Sequence, residues 1–459
     1  MNVGVRKWFL LGMMLFLSII FIYGCSSDSA GEKGDSGKTQ GEKVDDTGGG
    51  NADGRTSLDP WAYDGDPVTL KMMIWIDDET FRIRYKDKIE EIFPEITLEL
   101  ISGGDSEEHL QELFAKGIMP DIHIGRPRAD LVTSLDFLEP IDDYIERFGF
   151  DLSIFQEGIV ENLRASDPTG EGHLYGLPLE NSVRAMFYNK DIFDLFGEPY
   201  PEDGMTWEEV LELASRLTQE RNGIQYRGLA IDPVNTPVMQ LSVPGTDPKT
   251  GEILFVNDPN MKKSFDLLDK YRNIPNIINT SDTPDGFHDG PRNIAMSILN
   301  APWFELLARE EGFNFDLSTV PTWEDLPDIA PTWGALPLNI TKHSEHKDAA
   351  WSVIAYLASE EGQIHLSQAG SPPVIENQTA FEQFTANSIK DRDQTYHATA
   401  PFKQTLAPLP PYSKYDEQFE PFMNTKAKEF LTSDQDVVTY IREMGEEYAA
   451  FVEEIKAQE

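Results

Sequence analysis

Three short apolar runs alternate with two amphipathic segments near the start of the chain, and this alternation is the strongest constraint on its fold. The runs at 68–76, 96–101 and 120–125 are rich in Val, Ile, Leu and Met and have the length of buried strands. Between them, 79–93 and 106–116 repeat their apolar residues at helical spacing. Parallel strands need crossover connections of this kind. The pattern therefore predicts an α/β fold with a parallel sheet and helices on its faces.

Capping residues mark the predicted ends of several helices. Pro94 ends the first helix, and Ser106 is a good cap for the second. Asn189 precedes another helix candidate, in the turn that follows a strand at 183–188. Thr206, with Glu209 three residues later, forms a capping-box pattern.

Charge and cysteine content exclude several classes of protein. The chain has 459 residues, with 38 Lys and Arg against 80 Asp and Glu, and a formal charge of −42. A surface of this kind repels nucleic acid, so no nucleic-acid partner is expected. The one cysteine, Cys25, rules out an intramolecular disulfide framework and any zinc site built from several cysteines.

The N-terminus has the pattern of an export signal. Arg6 and Lys7 precede an apolar stretch at 8–23, which is short for a membrane span and typical of a signal peptide. The order Gly24-Cys25-Ser26 resembles a bacterial lipobox, which implies a signal peptide at 1–24 and a lipid on Cys25. The alternative is an uncleaved anchor with an incidental cysteine. Residues 25–59 are polar and Gly-rich and predict a flexible tether with a reach of about 30 Å.

Five blocks of the remaining chain carry a family resemblance. Tyr175-Gly176-Leu177-Pro178 leads into Phe187-Tyr188-Asn189-Lys190, and then into Thr206-Trp207-Glu208-Glu209. Further blocks are 293–303, which ends in Pro302-Trp303, then 315–321, 333–340 and 347–374. In this order they resemble the extracellular solute-binding proteins of ABC importers, in the branch that takes up sugars and oligosaccharides.

The resemblance implies a periplasmic-binding-protein-like fold of two α/β lobes, with three hinge crossings near Glu180, Trp333 and Pro373. It places 60–180 with 338–372 in an N-lobe and 181–337 with 373–459 in a C-lobe. The implied function is capture of a sugar or oligosaccharide between the lobes and delivery to a membrane permease. The protein would be a monomer on the extracellular face of the cell membrane, held by its lipid.

The expected ligand contacts follow partly from the resemblance and partly from the position of strands. Ligands of open α/β sheets bind beyond the carboxyl ends of strands. Aromatic faces with nearby amides and carboxylates suit sugar rings. The candidate residues are Trp75, Asp77, Arg126, Glu180, Asn181, Asp232, Trp303 and Trp333. Arg126 and its neighbour Arg128 either contact an acidic sugar or solvate the rim of the cleft.

Patterns for covalent chemistry are missing from the sequence. There is no G-x-S-x-G, H-E-x-x-H or G-x-G-x-x-G motif, so neither an enzyme nor a cofactor is expected. An acidic loop with Asp282, Asp285 and Asp289 lacks the EF-hand pattern, and no metal site is expected. Two alternatives stay open: a secreted glycosidase, and a surface lipoprotein that binds peptide or protein.

Overall fold

The computed structural model describes residues 59–278, 286–288, 290–389 and 395–457. The predicted signal peptide, Cys25, the predicted tether up to residue 58, and Asp282, Asp285 and Asp289 lie outside these residues.

The strands are β1 (Val68–Ile74), β2 (Ile96–Ser102), β3 (Ile122–Ile124), β4 (Gly176–Asn181), β5 (Arg184–Asn189), β6 (Glu220–Arg221), β7 (Ile224–Gln225), β8 (Arg227–Ile231), β9 (Ile294–Asn300), β10 (Phe315–Ser318), β11 (Ile329–Ala330), β12 (Ala335–Ile340) and β13 (Thr405–Leu406). The α-helices are α1 (Asp78–Phe81), α2 (Asp87–Ile92), α3 (Glu107–Ala115), α4 (Asp142–Phe148), α5 (Ile159–Ala165), α6 (Lys190–Phe196), α7 (Trp207–Leu217), α8 (Thr236–Gln240), α9 (Pro259–Arg272), α10 (Trp303–Arg309), α11 (Lys347–Ala358), α12 (Glu360–Gln368), α13 (Gln378–Glu382), α14 (Ala386–Ile389), α15 (Phe419–Thr432) and α16 (Val437–Ala457).

The first sheet has the strand order β2-β1-β3-β12-β4. Strand β1 is parallel to β2 and β3, as the alternating pattern predicts. The parallel order predicted for these three strands is confirmed, and the whole sheet is mixed because β12 and β4 join antiparallel to their neighbours. The reason is topological: β12 returns from the second sheet, far along the chain, and runs against β3. We call this sheet and the helices packed on it the first lobe.

The second sheet has the strand order β10-β5-β9-β8. Strand β5 is antiparallel to β10 and β9, while β8 is parallel to β9. The carboxyl ends of β8 and β9 therefore lie at the same edge of the sheet as the start of β5. We call this sheet and its helices the second lobe.

Each lobe has its own hydrophobic core. In the first lobe Trp351, fully buried on α11, stacks on Tyr144 and Phe148 with ring centroids 5.7 and 5.5 Å away. In the second lobe the C-terminal helices complete the core. The ring centroid of Phe265 on α9 lies 5.1 Å from that of Phe430 on α15 and 6.0 Å from that of Tyr440 on α16. The C-terminal residues, which sequence reasoning placed least well, are thus part of the second-lobe core.

Short crossing segments join the two sheets. The chain leaves the first sheet at Asn181 and enters the second at Arg184. Beside this crossing, the Ser182 amide donates to the Gly334 carbonyl at 3.2 Å, and the Asn181 amide donates to the Pro372 carbonyl at 3.0 Å. Gly334 has φ +78°, and a Cβ added there would lie 2.9 Å from Arg126 Nη2. A side chain at this position would therefore strain the backbone and displace Arg126.

The predicted caps are confirmed. Ser106 Oγ accepts the His109 amide at 3.3 Å, and the Asn189 side chain accepts the Asp191 amide at 3.1 Å. Thr206 and Glu209 form the reciprocal capping box at the start of α7. The block at 347–374 begins with two successive helices, because Ser359 ends α11 and caps α12.

Candidate functional site

A small cavity lies where the crossing segments leave the two sheets. It has a volume of about 210 Å³ and is lined by residues 180–183, residues 333–336, Arg126, Asn300 and Pro302. Four of the eight predicted ligand residues line it: Arg126, Glu180, Asn181 and Trp333. We call it the cleft cavity. Pockets for drug-sized ligands have about 300–1,000 Å³, so this cavity holds only part of such a ligand.

A second cavity of about 870 Å³ adjoins the first. Helix α5 with the residues before it forms one wall, and residues 401–412 form another. Asn181, Val183 and Gly334 line both cavities. The two cavities therefore share part of their lining, and the larger one has the volume of a complete small-molecule site.

Arg126 lines the cleft cavity and has no carboxylate partner among the described residues. Its Nη2 donates to the Trp333 carbonyl, and its Nη1 donates to Asn162 Oδ1 at 3.4 Å. Burial lowers the pKa of Arg126, although the nearby Tyr412 and Glu420 oppose this shift. The guanidinium is thus fixed by neutral acceptors. Arg128, two residues later, is instead paired with Asp105 at 2.8 Å and Asp130 at 2.9 Å.

Trp333 and Asn181 present complementary groups to the cleft cavity. The Trp333 ring is partly buried and stacks on Phe419, with 6.5 Å between centroids. Asn181 is 3% exposed, and its Nδ2 donates to Gln156 Oε1 at 2.9 Å. Its Oδ1 has no hydrogen-bond partner among the described residues. A buried acceptor in this state favours a ligand that donates a hydrogen bond to it.

Glu180 is occupied by contacts within the protein. Ser371 Oγ donates to Glu180 Oε2, and Arg84 Nη1 lies 3.4 Å from the same oxygen. Arg84 also pairs with Glu305 on α10 at 3.1 Å, and both of these side chains are buried. Arg84 belongs to the first lobe and Glu305 to the second, so this ion-pair network spans the two lobes.

Asp77 and Trp75 lie beyond the carboxyl end of β1, as predicted. The Asp77 side chain caps α1 and accepts the Glu79 and Thr80 amides at 3.0 and 2.9 Å. Burial acts to raise its pKa, but the hydrogen bonds from Thr80 and the charge of Arg309 lower it overall. Trp75 is 81% exposed and lies against Gly104, so its indole is accessible to a ligand.

Trp303 and Asp232 lie at the edge of the second sheet. The Trp303 ring contacts His288 edge to face at 5.2 Å, and the preceding Pro302 lines the cleft cavity. Asp232 follows β8 and is partly buried. Burial raises its pKa, and the charges of Lys428 and Arg184 oppose this. Neither side chain lines the two cavities described above.

Arg184 is a site residue that sequence reasoning missed. It is the first residue of β5, is 4% exposed, and pairs in register with Asn300 of the cleft cavity. Its Nε and Nη1 have no hydrogen-bond partner among the described residues. Burial lowers its pKa to about 10. The sequence does show a charged residue at the start of a mainly apolar strand at 184–189, and this pattern could have indicated a functional arginine.

Two further observations concern metals and membranes. The described part of the chain contains no group of three His, Cys, Asp or Glu side chains placed to hold a metal ion. Among the same residues, none of the helices has the length and apolar character needed to span a bilayer.

Known proteins resemble this chain in sequence and in fold. In sequence, two proteins named as binding proteins, from Brucella abortus and Brucella suis, are 22% identical over 264 residues. The match covers 54% of this chain and 61% of theirs, so the chain spans less than two thirds of the length of these relatives.

Solved structures match over most of the chain. An ABC substrate-binding protein from Listeria monocytogenes in complex with cycloalternan has a TM-score of 0.61 at 19% identity, covering 85% of this chain and 99% of that one. UgpB from Mycobacterium tuberculosis in complex with glycerophosphocholine has a TM-score of 0.62 at 14% identity, with the same coverage. These likenesses confirm the predicted periplasmic-binding-protein-like fold of two lobes.

A family model described as bacterial extracellular solute-binding protein matches residues 85–391. This match includes the crossing segments, the cleft cavity and most of both sheets. The proteins of this family bind solutes outside the cytoplasm. This chain therefore belongs to the family of bacterial extracellular solute-binding proteins.

Proposed function

We propose that this protein is the substrate-binding lipoprotein of an ABC importer, and that it captures a sugar or oligosaccharide between its lobes. The observation that carries the proposal is the cleft cavity at the lobe crossing. There the Trp333 ring, the unpartnered Asn181 Oδ1 and the Arg126 guanidinium lie in one lining. Sugar rings offer apolar C–H faces to aromatic side chains and hydroxyl groups to amides and charged groups.

The relatives support the same assignment. The Listeria monocytogenes protein binds cycloalternan, an oligosaccharide, and is an ABC substrate-binding protein. The exposed Trp75 and the partly buried Trp303 add aromatic surface near the cleft. We keep Asp77, Glu180 and Asp232 as candidate contacts. For Glu180, ligand contact would require release from Ser371 or Arg84, which now hold it.

Capture works by closure of the lobes around the solute. We place the division at 60–180 with 338–372 and 181–337 with 373–459, within a few residues of the points where the chain passes from β4 to β5 and into β12. A ligand that contacts both lobes stabilises the closed form by its differential affinity for that form. No covalent step is part of this function, and the closed form would then dock on the permease.

Attachment to the membrane rests on the N-terminal sequence. We propose cleavage after Gly24, a diacylglycerol on Cys25, and a monomer held at the extracellular face of the cell membrane by this lipid. Metabolic labelling with a palmitate analogue tests this. The wild-type chain should be labelled and Cys25→Ala should not. Label on both proteins would overturn the proposed lipid site.

Ligand capture is tested by a thermal-shift screen of the full-length chain in detergent against neutral and acidic oligosaccharides and a set of short peptides. A ligand at a hundredfold excess over Kd stabilises the fold by about 2.7 kcal/mol, which raises Tm measurably. Mass spectrometry of the sugar after incubation gives the second readout. Stabilisation with intact sugar supports the proposal. Cleaved sugar supports a glycosidase, and stabilisation by peptides alone supports a peptide-binding lipoprotein.

A further inference from the structure

Arg184 is a buried charge for which the described residues provide no hydrogen-bonded carboxylate. Its side chain is 96% hidden from solvent, and neither Nε nor Nη1 finds an acceptor among the described residues. Removing a guanidinium from water costs several kcal/mol unless a partner with good geometry replaces the water. The ligand-free protein thus carries this cost at the edge of its binding cleft.

The missing partner is unusual in this chain. Acidic residues outnumber basic ones by 80 to 38, so there are more than enough carboxylates to pair with every basic side chain. Other buried or half-buried arginines use them: Arg84 pairs with Glu305, Arg128 with Asp105, and Arg272 with Asp269. Arg126 and Arg184 form no such pair within the described residues, and both lie at the lobe crossing.

Arg184 itself lines neither cavity, but Ser182, Val183 and Asn300 beside it line the cleft cavity together with Arg126. Arg126 donates to the Trp333 carbonyl, and Trp333 stacks on Phe419. The next residue, Glu420, exerts its charge on both Arg126 and Arg184. Strand alternation puts Arg184 on the same face of β5 as Met186, which packs in the core that includes Phe419. Arg126 comes from the first lobe and Arg184 from the second, so one ligand group between them would contact both lobes.

The neighbouring amides define the rest of the ligand. Asn181 Oδ1 and Asn235 Oδ1 are buried and have no partner among the described residues. These atoms accept hydrogen bonds, whereas the two guanidiniums only donate them. A ligand that satisfies all four groups carries an oxyanion together with hydroxyl donors. A sugar with a carboxylate or a phosphate group has this combination.

The charges around the pair permit an anion. Glu420 and Asp232 are the acidic groups whose charge acts on Arg184. Burial raises the pKa of Asp232, and the positive charges of Lys428 and Arg184 oppose this rise. Glu417, near Arg128, also has a pKa raised by burial. Lys428 therefore supplies a further positive charge beside the acidic neighbours of Arg184.

We propose that Arg126 and Arg184 form a two-lobed oxyanion subsite, and that the captured solute is an acidic sugar rather than a neutral one. The inference rests on the proposed function and deepens it by naming the charge of the ligand. Bidentate hydrogen bonds from guanidinium to carboxylate or phosphate are strong and geometrically specific.

The test measures affinity and ligand-free stability of the full-length chain in detergent. The probes are trigalacturonate with a neutral galactose trisaccharide, and glucose 6-phosphate with glucose. Each pair differs in the oxyanion, and the two pairs distinguish a carboxylate source from a phosphate source. The variants are Arg126→Met, Arg184→Met and Arg184→Lys. Arg221→Met is the charge control, because Arg221 is exposed and its side chain contacts the Leu195 carbonyl and the Phe196 ring.

In the expected result, one acidic probe binds at least tenfold more tightly than its neutral partner. Arg126→Met and Arg184→Met each weaken that probe about tenfold or more, Arg184→Lys weakens it less than Arg184→Met, and Arg221→Met leaves it unchanged. The ligand-free Tm of Arg184→Met stays equal or rises, since an unpaired buried charge has been removed. A fall in Tm together with unchanged affinity assigns Arg184 a structural role and overturns the inference.

Two other outcomes separate the inference from the function on which it rests. Neutral probes that bind as tightly as acidic ones, with no loss in the arginine variants, overturn the oxyanion subsite and leave sugar capture intact. No binding to any probe, charged or neutral, overturns both.

Discussion

Two buried arginines flank the lobe crossing, and they are held in opposite ways. Arg84 donates to the Ala369 carbonyl and pairs with Glu180 and Glu305, so carboxylates from both lobes surround it. Arg184 has a comparable burial, yet two of its nitrogens lack any acceptor among the described residues. A charge that is fully paired inside the protein stabilises an arrangement of the lobes. A charge left unpaired inside the cleft is available to a ligand.

The difference also assigns roles to the predicted ligand residues. Glu180 and Asp77 lie on the Arg84 side, where Ser371, Arg84 and Arg309 contact them. Asn181 and Arg126 lie on the Arg184 side, where neutral groups or no groups contact them. We therefore expect mutations on the first side to change stability and mutations on the second side to change binding.

The largest effect is expected from Arg84→Met. It removes the guanidinium that the buried Glu305 and the partly buried Glu180 share, and leaves Glu305 with Arg309 as its remaining partner. Breaking a buried pair in this way costs about 3–5 kcal/mol of unfolding free energy. Urea denaturation of the ligand-free protein measures this. Arg184→Met is the matched control and should change stability by less than about 1 kcal/mol. Equal losses in the two variants would remove the distinction between the two arginines.

A smaller effect is expected from the pH dependence of Asp416. Within the part of the chain that the structure describes, this buried carboxyl pairs with no guanidinium. Burial raises its pKa to about 6, although hydrogen bonds from Thr246 and Ser413 oppose the rise. The folded protein then binds the proton more tightly than the unfolded chain, so stability is highest below pH 4 for this group and falls as pH rises towards 6. The fall is at most about 3 kcal/mol.

Unfolding free energies at pH 4.5 and 7.5 measure this contribution. Asp416→Asn cannot ionise and should show a smaller fall between the two pH values than the wild type. Asp436 is the control, because it is exposed and hydrogen bonds from Thr439 lower its pKa. Asp436→Asn should leave the fall unchanged. The same pH profile in wild type and Asp416→Asn would contradict the assignment.

The capping box at the start of α7 involves neither arginine and provides a reference for the size of these stability changes. Thr206→Ala removes the side-chain half of the capping box at α7 and should cost about 1 kcal/mol of unfolding free energy. Thr206→Ser keeps the hydroxyl and should retain most of the stability. Ligand affinity should stay the same in both. If Ser is as costly as Ala, the loss comes from the threonine methyl group rather than from the cap.

The smallest stability change is expected from Trp75→Ala. Its side chain is 81% exposed, so truncation should alter the unfolding free energy by less than about 0.5 kcal/mol. Binding of the sugar probe should weaken about tenfold if the indole covers a ring face. Val438→Ala, an exposed apolar residue on α16, is the control for both measurements. Unchanged affinity in Trp75→Ala would remove this residue from the binding surface.

Local signals in the sequence predicted most elements but not their electrostatic environment. The caps at Ser106, Asn189 and Thr206 depend on a few adjacent residues, and the structure confirms them. Arg184 was missed because its state depends on Glu420 and Asp232, which are remote in the chain. For the same reason, the sequence could place Glu180 at the hinge without indicating that Arg84 already holds it.

Burial also divides the tryptophans of the described chain into optical classes. Trp207 and Trp351 are fully buried in the second and first lobe, whereas Trp75 is largely in water. Excitation at the red edge of the absorption band selects the solvated indole, whose emission lies at longer wavelength. A solute that covers Trp75 would shift this emission to shorter wavelength and protect it from acrylamide quenching. The emission of the buried rings would serve as an internal reference, so solute binding could be followed without any attached dye.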